Sequence, residues 1–108
     1  MIEVNNEVGG FGLVGINYTL ISANGTTVIK ATPGQFLGII VTSIGTTETV
    51  TVYDNTAASG TLLVPTTAAI AAVGLINTGF GTLPVNTQVG LTVVYAGTTA
   101  GTILVLWK

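Results

Sequence analysis

Apolar and β-branched residues fall in short runs that glycine, proline, asparagine and aspartate keep interrupting. The cleanest run is Glu48-Thr-Val-Thr-Val-Tyr53. Val50 and Val52 share one face and Thr49, Thr51 and Tyr53 the other, which is the period-two pattern of a strand with one wet face. Runs at residues 16–23, 26–31, 35–42, 61–64, 74–77, 90–95 and 102–107 have the same texture, rich in Val, Ile, Leu and Thr. Such residues suit a pleated, half-buried surface. About eight short strands at regular spacing predict an all-β fold, an antiparallel β-sandwich of jelly-roll-like form. The alanine-rich stretch 66–73 is bounded by Pro65 and Gly74 and has room for two helical turns at most.

Turn chemistry supplies the connections. Asn24-Gly25 readily takes the positive φ angles of a type I′ turn and predicts a hairpin between residues 16–23 and 26–31. Pro33-Gly34 predicts a turn into the next strand, and residues 54–60 read as a loop. Residues 1–15 carry Asn5, Asn6 and four glycines among scattered apolar positions, so the chain divides into a glycine-rich arm, 1–15, and one sandwich domain, 16–108.

Two runs break the one-sided pattern. Phe36-Leu-Gly-Ile-Ile-Val41 and Ile103-Leu-Val-Leu-Trp107 are apolar on both faces, whereas a strand in a lone sandwich needs only one. The second face calls for a cover, and the candidate interface residues are Phe36, Leu37, Leu104, Leu106 and Trp107. A patch of that size left in water exceeds what monomers usually carry, which predicts a homo-oligomer.

At 108 residues the chain holds one domain. Mean hydropathy is high, +0.79, yet the longest apolar run, residues 68–76, is far short of a membrane helix and contains Gly74. The start, Met-Ile-Glu-Val-Asn-Asn-Glu, has neither the basic nor the apolar region of a secretory leader, so a soluble product made in the cytoplasm is expected. Charged residues make up 6 % of the chain, against about 25 % in ordinary domains. Two lysines, Lys30 and Lys108, offer no basic patch, which argues against nucleic acid or an anionic membrane surface as a partner.

Candidate chemistry is sparse. With no histidine and no cysteine, the hydroxyls lack the usual general base, and no thiolate nucleophile or cysteine-based metal site is available. A carboxylate pair would have to come from Glu48 and Asp54, six residues apart at opposite ends of one strand, about 20 Å when extended and too far for glycosidase chemistry. Gly10-Phe-Gly-Leu-Val-Gly15 matches the dinucleotide fingerprint in letters only, since the next residues, Ile16-Asn-Tyr-Thr-Leu-Ile21, are strand-like and no acid stands at the ribose-reading distance. Asp54-Asn55 reads as a strand-end cap before it reads as a calcium ligand set. Thr47, Thr49 and Thr51 form a single-strand threonine array of the kind ice binding would need repeated on neighbours. Two glycosylation sequons, at Asn17 and Asn24, matter only in a secreted protein. No enzyme, cofactor or metal role is expected, and a sugar-binding surface would have to use Tyr18, Tyr53, Tyr95 or Trp107.

The segments Val28-Ile-Lys-Ala-Thr-Pro-Gly-Gln-Phe-Leu-Gly-Ile-Ile-Val41, Thr49-Val-Thr-Val-Tyr-Asp-Asn-Thr-Ala-Ala-Ser-Gly-Thr61, Gly90-Leu-Thr-Val-Val-Tyr95 and Ile103-Leu-Val-Leu-Trp107 together resemble small β-rich virion proteins of tailed phages. The resemblance spans residues 26–107 and carries no catalytic residue. It implies a β-sandwich subunit, often trimeric, set on the capsid surface as a decoration or cement protein, with the major capsid protein and its own copies as partners. Some relatives are tail, spike or neck parts instead, and a carbohydrate- or host-surface-binding module is the alternative of a different class.

Overall fold

The computed structural model describes residues 15–76 and 84–108, and no helix occurs among them. The expected arm, 1–15, therefore lies outside the described residues except for Gly15. The described residues form nine strands in chain order: β1 (Asn17–Ile21), β2 (Gly25–Lys30), β3 (Gln35–Ser43), β4 (Thr49–Asp54), β5 (Thr61–Val64), β6 (Gly74–Ile76), β7 (Val85–Asn86), β8 (Leu91–Ala96) and β9 (Thr102–Trp107). All but β7 coincide with a predicted run. Two residues are too few for β7 to show a period.

The pairing is a nested antiparallel ribbon: β1 with β9, β2 with β8, β3 with β6 and β7, β4 with β5. Folding that ribbon over brings β9 against β3 and β8 against β4. The result is one sheet in the order β1-β9-β3-β6, with β7 also on β3, and a second in the order β2-β8-β4-β5. This is jelly-roll winding in a two-sheet antiparallel sandwich, as the strand pattern predicts.

Between the sheets lies a core of Ile21, Phe36, Ile39, Val41, Val50, Val52, Leu63, Val64, Leu91, Val93, Tyr95, Ile103 and Val105. Residues two apart along the strands supply most of it, with a notable exception on β3. There Phe36 and Ile39, three apart, are both buried, because a β-bulge shifts the register between Phe36 and Gly38. Gly38 has φ 142°, which a residue with a Cβ resists. The bulge lets both large side chains face inward and turns Leu37 and Ile40 outward.

Two local expectations, at Asn24-Gly25 and on the outer face of β4, differ from the structure. Asn24-Gly25 is no hairpin: β1 and β2 belong to different sheets, and Asn24 lacks the positive φ a type I′ turn needs. It is a corner between sheets, fastened by the Asn24 side-chain amide donating to the Gly97 carbonyl at 2.8 Å. Each strand gains a full-length partner and a share of the core, which an isolated ribbon could not provide. The outer face of β4 is not wet throughout, since Thr51 is buried and its hydroxyl pairs with that of Thr66 at 2.7 Å. The alanine-rich stretch forms no helical turn; its start runs along β4, with amides of Thr67 and Ile70 donating to the carbonyls of Val50 and Glu48.

Candidate assembly face

The outer surfaces of the two sheets differ in chemistry. On the β1-β9-β3-β6 sheet, Leu20 stands opposite Leu104, Leu104 opposite Ile40, and Ile40 opposite Leu75. One row of four aliphatic side chains thus crosses four strands. The next row on the same face runs Tyr18, Leu106, Gly38, with Leu37 in the bulge beside it. Their neighbours along each strand, Ile21, Ile39, Val41, Ile103 and Val105, are buried in the core, so strand alternation turns these rows outward. Tyr18 is 67 %, Leu20 57 % and Leu75 63 % exposed. Neither row contains a charged residue.

On the β2-β8-β4-β5 sheet the corresponding rows are Val28, Thr92, Tyr53, Leu62 and Thr26, Val94, Thr51. Hydroxyls recur there, and several are engaged: Thr92 donates to the Asn55 carbonyl at 2.7 Å, and Thr51 meets Thr66. One face of the sandwich is therefore leucine-rich and the other threonine-rich.

The five candidate interface residues divide. Leu37, Leu104 and Leu106 lie on the leucine-rich face, half-buried by their neighbours. Phe36 does not: it is 1 % exposed, inside the core, and so is withdrawn from any surface. Trp107 also packs against the core; its indole N–H donates to the Thr19 hydroxyl at 3.0 Å, and the Lys30 ammonium stands 5.7 Å from its ring centroid. Tyr18, Leu20, Ile40 and Leu75 complete the face and were not among the candidates. The parity of Asn17-Tyr-Thr-Leu-Ile21 places Tyr18 and Leu20 together, but which side faces water depends on which strand β1 joins.

The titratable groups Glu48, Tyr95 and Asp54 are occupied in holding the fold. Glu48 is fully buried; its carboxylate accepts from the Tyr95 hydroxyl and from the Gly45 amide, while the Tyr95 oxygen accepts from the Gly101 amide at 3.0 Å. Burial, reinforced by the Glu48 hydrogen bond and charge against the weaker pull of the Gly101 amide, pushes the Tyr95 phenol up to about 12. Asp54 accepts from the successive amides of Gln88, Val89 and Gly90 at 2.9–3.2 Å. Desolvation works to raise its pKa, yet those three donors outweigh it and hold the carboxyl below its ordinary value. Asn55 ties the following loop through Ser59, which accounts for the Asp54-Asn55 pair as a cap. Among the described residues no group of three or more His, Cys, Asp or Glu could hold a metal ion, and no helix is long and apolar enough to cross a membrane.

The threonine array does not form a flat face, since Thr47 is exposed, Thr49 half-buried and Thr51 buried. Of the four aromatics weighed for sugar binding, Tyr95 is in the core, Tyr53 and Trp107 are half-buried, and Tyr18 projects from the leucine-rich face. Apart from Gly15, the glycine motif at 10–15 lies outside the described residues.

No protein-family model matches the chain, and no curated protein or solved structure matches it.

Proposed function

We propose that this protein is a structural subunit of a tailed-phage particle, a capsid decoration or cement protein that binds and stabilises the head shell. The observation that carries the reading is the leucine-rich outer face of the β1-β9-β3-β6 sheet, with Tyr18, Leu20 and Leu75 each more than half exposed. Contiguous apolar surface of this kind marks contact with another protein, and the absence of charge from its rows suits burial in a permanent assembly. A sandwich whose own core is complete supplies a rigid body on which such a face can be carried. The motif resemblance of residues 26–107 adds the setting: the capsid surface, with the major capsid protein as partner.

The test is to count copies of this chain against the major capsid protein in purified particles of the phage that encodes it. A count comparable to the shell protein supports decoration. A handful per particle places the chain in the tail, spike or neck, and absence from the particle overturns a virion role.

A further inference from the structure

Both sheets end in outer strands, and each of these but one carries a feature that hinders further pairing. β5, β6 and β7 are short, at four, three and two residues. β2 bears Lys30 and a bulge between Val28 and Lys30. Such features keep the edge of a sheet from taking another strand. β1 has none of them. Its five residues, Asn17–Ile21, pair with β9 in unbroken register and include no proline and no charge. Among the described residues β9 is its one strand partner, so the other side of β1 presents a regular, neutral ladder of amides and carbonyls. We infer that this edge is occupied by residues 1–14 of the same chain, the arm folding back as an additional strand antiparallel to β1.

The occupant is set by where the chain enters. Residues 1–14 lie outside the described residues, and the first described residue, Gly15, stands two positions ahead of β1 with φ 80° and nothing within 4 Å of a Cβ. A left-handed residue there takes the chain off the line of β1, and positive φ is what tight hairpin turns require. A segment joined to the edge by a two-residue loop is present at an effective concentration in the millimolar range, roughly a thousandfold above a separate chain at micromolar concentration. Composition fits as well. Val8-Gly-Gly-Phe-Gly-Leu-Val14 has no charge and no proline and is long enough to line the five residues of β1. With Gly15 at either central position of a two-residue loop, Phe11 comes opposite Tyr18 or Leu20. In both registers Phe11 and Leu13 take the leucine-rich side, while Gly10 and Gly12 fall on the side of Thr19. A glycine there adds no side chain beside the Thr19 hydroxyl that receives the Trp107 indole N–H. The added strand extends the outer rows of Tyr18 and Leu20 by one aromatic residue. This pairing does not depend on the virion role.

The test uses the intact chain, which has no cysteine of its own. Phe11→Cys is combined with Tyr18→Cys and, separately, with Leu20→Cys, both partner positions being exposed, and each variant is oxidised at micromolar concentration. Directly opposed residues of an antiparallel pair hold their Cβ atoms about 4.5–5.5 Å apart, close to what a disulfide spans. The expected result is a disulfide within one chain in one of these two variants, formed roughly tenfold faster than by Gly12→Cys with the same partner, because alternate strand positions face opposite sides. Equal rates from positions 11 and 12 mean a segment without register and overturn the inference. A disulfide that joins two chains assigns the edge to a second copy and overturns it too. Removal of residues 1–14 gives the second measurement: amide hydrogen exchange across Asn17–Ile21 should speed up by about tenfold. A folded truncated chain whose β1 amides exchange at the wild-type rate overturns the inference, and if the truncated chain does not fold the cysteine pairs decide alone.

Discussion

Tyr95 donates its hydroxyl hydrogen to the Glu48 carboxylate at a point where neither side chain reaches solvent. The contact joins β8 to the residue just before β4, and the Gly45 and Gly101 amides bring two connecting loops to the same spot. A buried polar network of this kind stabilises when every member is satisfied and destabilises when one is removed. Tyr95→Phe takes away one donor and one acceptor and leaves both Glu48 and the Gly101 amide short of a partner. The expected loss is about 2–3 kcal/mol, read as a lower urea midpoint at unchanged slope.

The same phenol makes stability fall at high pH. Its folded pKa, about 12, lies above the ordinary value of 10.0, so between these limits the folded chain holds a proton that the unfolded chain has released. The contribution is complete below pH 10 and is lost as pH rises through the folded value. For a wholly buried group the window is worth about 2–3 kcal/mol. Denaturant titrations at a series of pH values should show this decline in the wild type and a flatter alkaline limb in Tyr95→Phe.

Asp54 governs the acid side. Its depressed pKa means that the contribution is present above the unfolded carboxyl value, near pH 4, and disappears as pH falls through the folded value. Asp54→Asn retains one acceptor oxygen for the amides of Gln88, Val89 and Gly90 but loses the charge, so its stability should depend less on pH below about 4. Asp54→Ala should cost about 1 kcal/mol, because Gln88 and Val89 are exposed enough for water to replace the lost acceptor.

Two glycines separate crowding from backbone conformation. A Cβ at Gly45 would overlap the Thr99 carbonyl, the Glu48 carboxylate and the Gly101 amide, so Gly45→Ala should cost about 3 kcal/mol or more and disturb the buried network. Gly74 has φ 122° with nothing within 4 Å of a Cβ, so Gly74→Ala should cost about 1–2 kcal/mol through backbone strain alone. Thermal melts of the two variants should differ accordingly.

Strand positions and fold class were legible in the chain itself, because a period of two and the turn-forming residues act over a few neighbours. Val50 and Val52 had to share a face, and Pro33-Gly34 had to interrupt a strand. The two-sided apolar character of Phe36–Val41 and Ile103–Trp107 was equally plain, and both runs lie in the sheet whose outer face is leucine-rich. Which of those residues faced outward was not legible: a single bulge at Gly38 changes the phase of β3 and sends Phe36 into the core while Leu37 and Ile40 turn out. Asn24-Gly25 carried a strong local hairpin signal, yet pairing with β9 and β8, more than 60 residues away, won because it buries both strands in a common core. Tyr18, Leu20, Ile40 and Leu75 form one face only because β1, β9, β3 and β6 lie side by side. Likewise Glu48 and Tyr95 become partners only when β4 and β8 pair. Local periodicity determines what each strand can bury; the neighbours that the winding assigns to it decide what it does bury, and so which face is left for assembly.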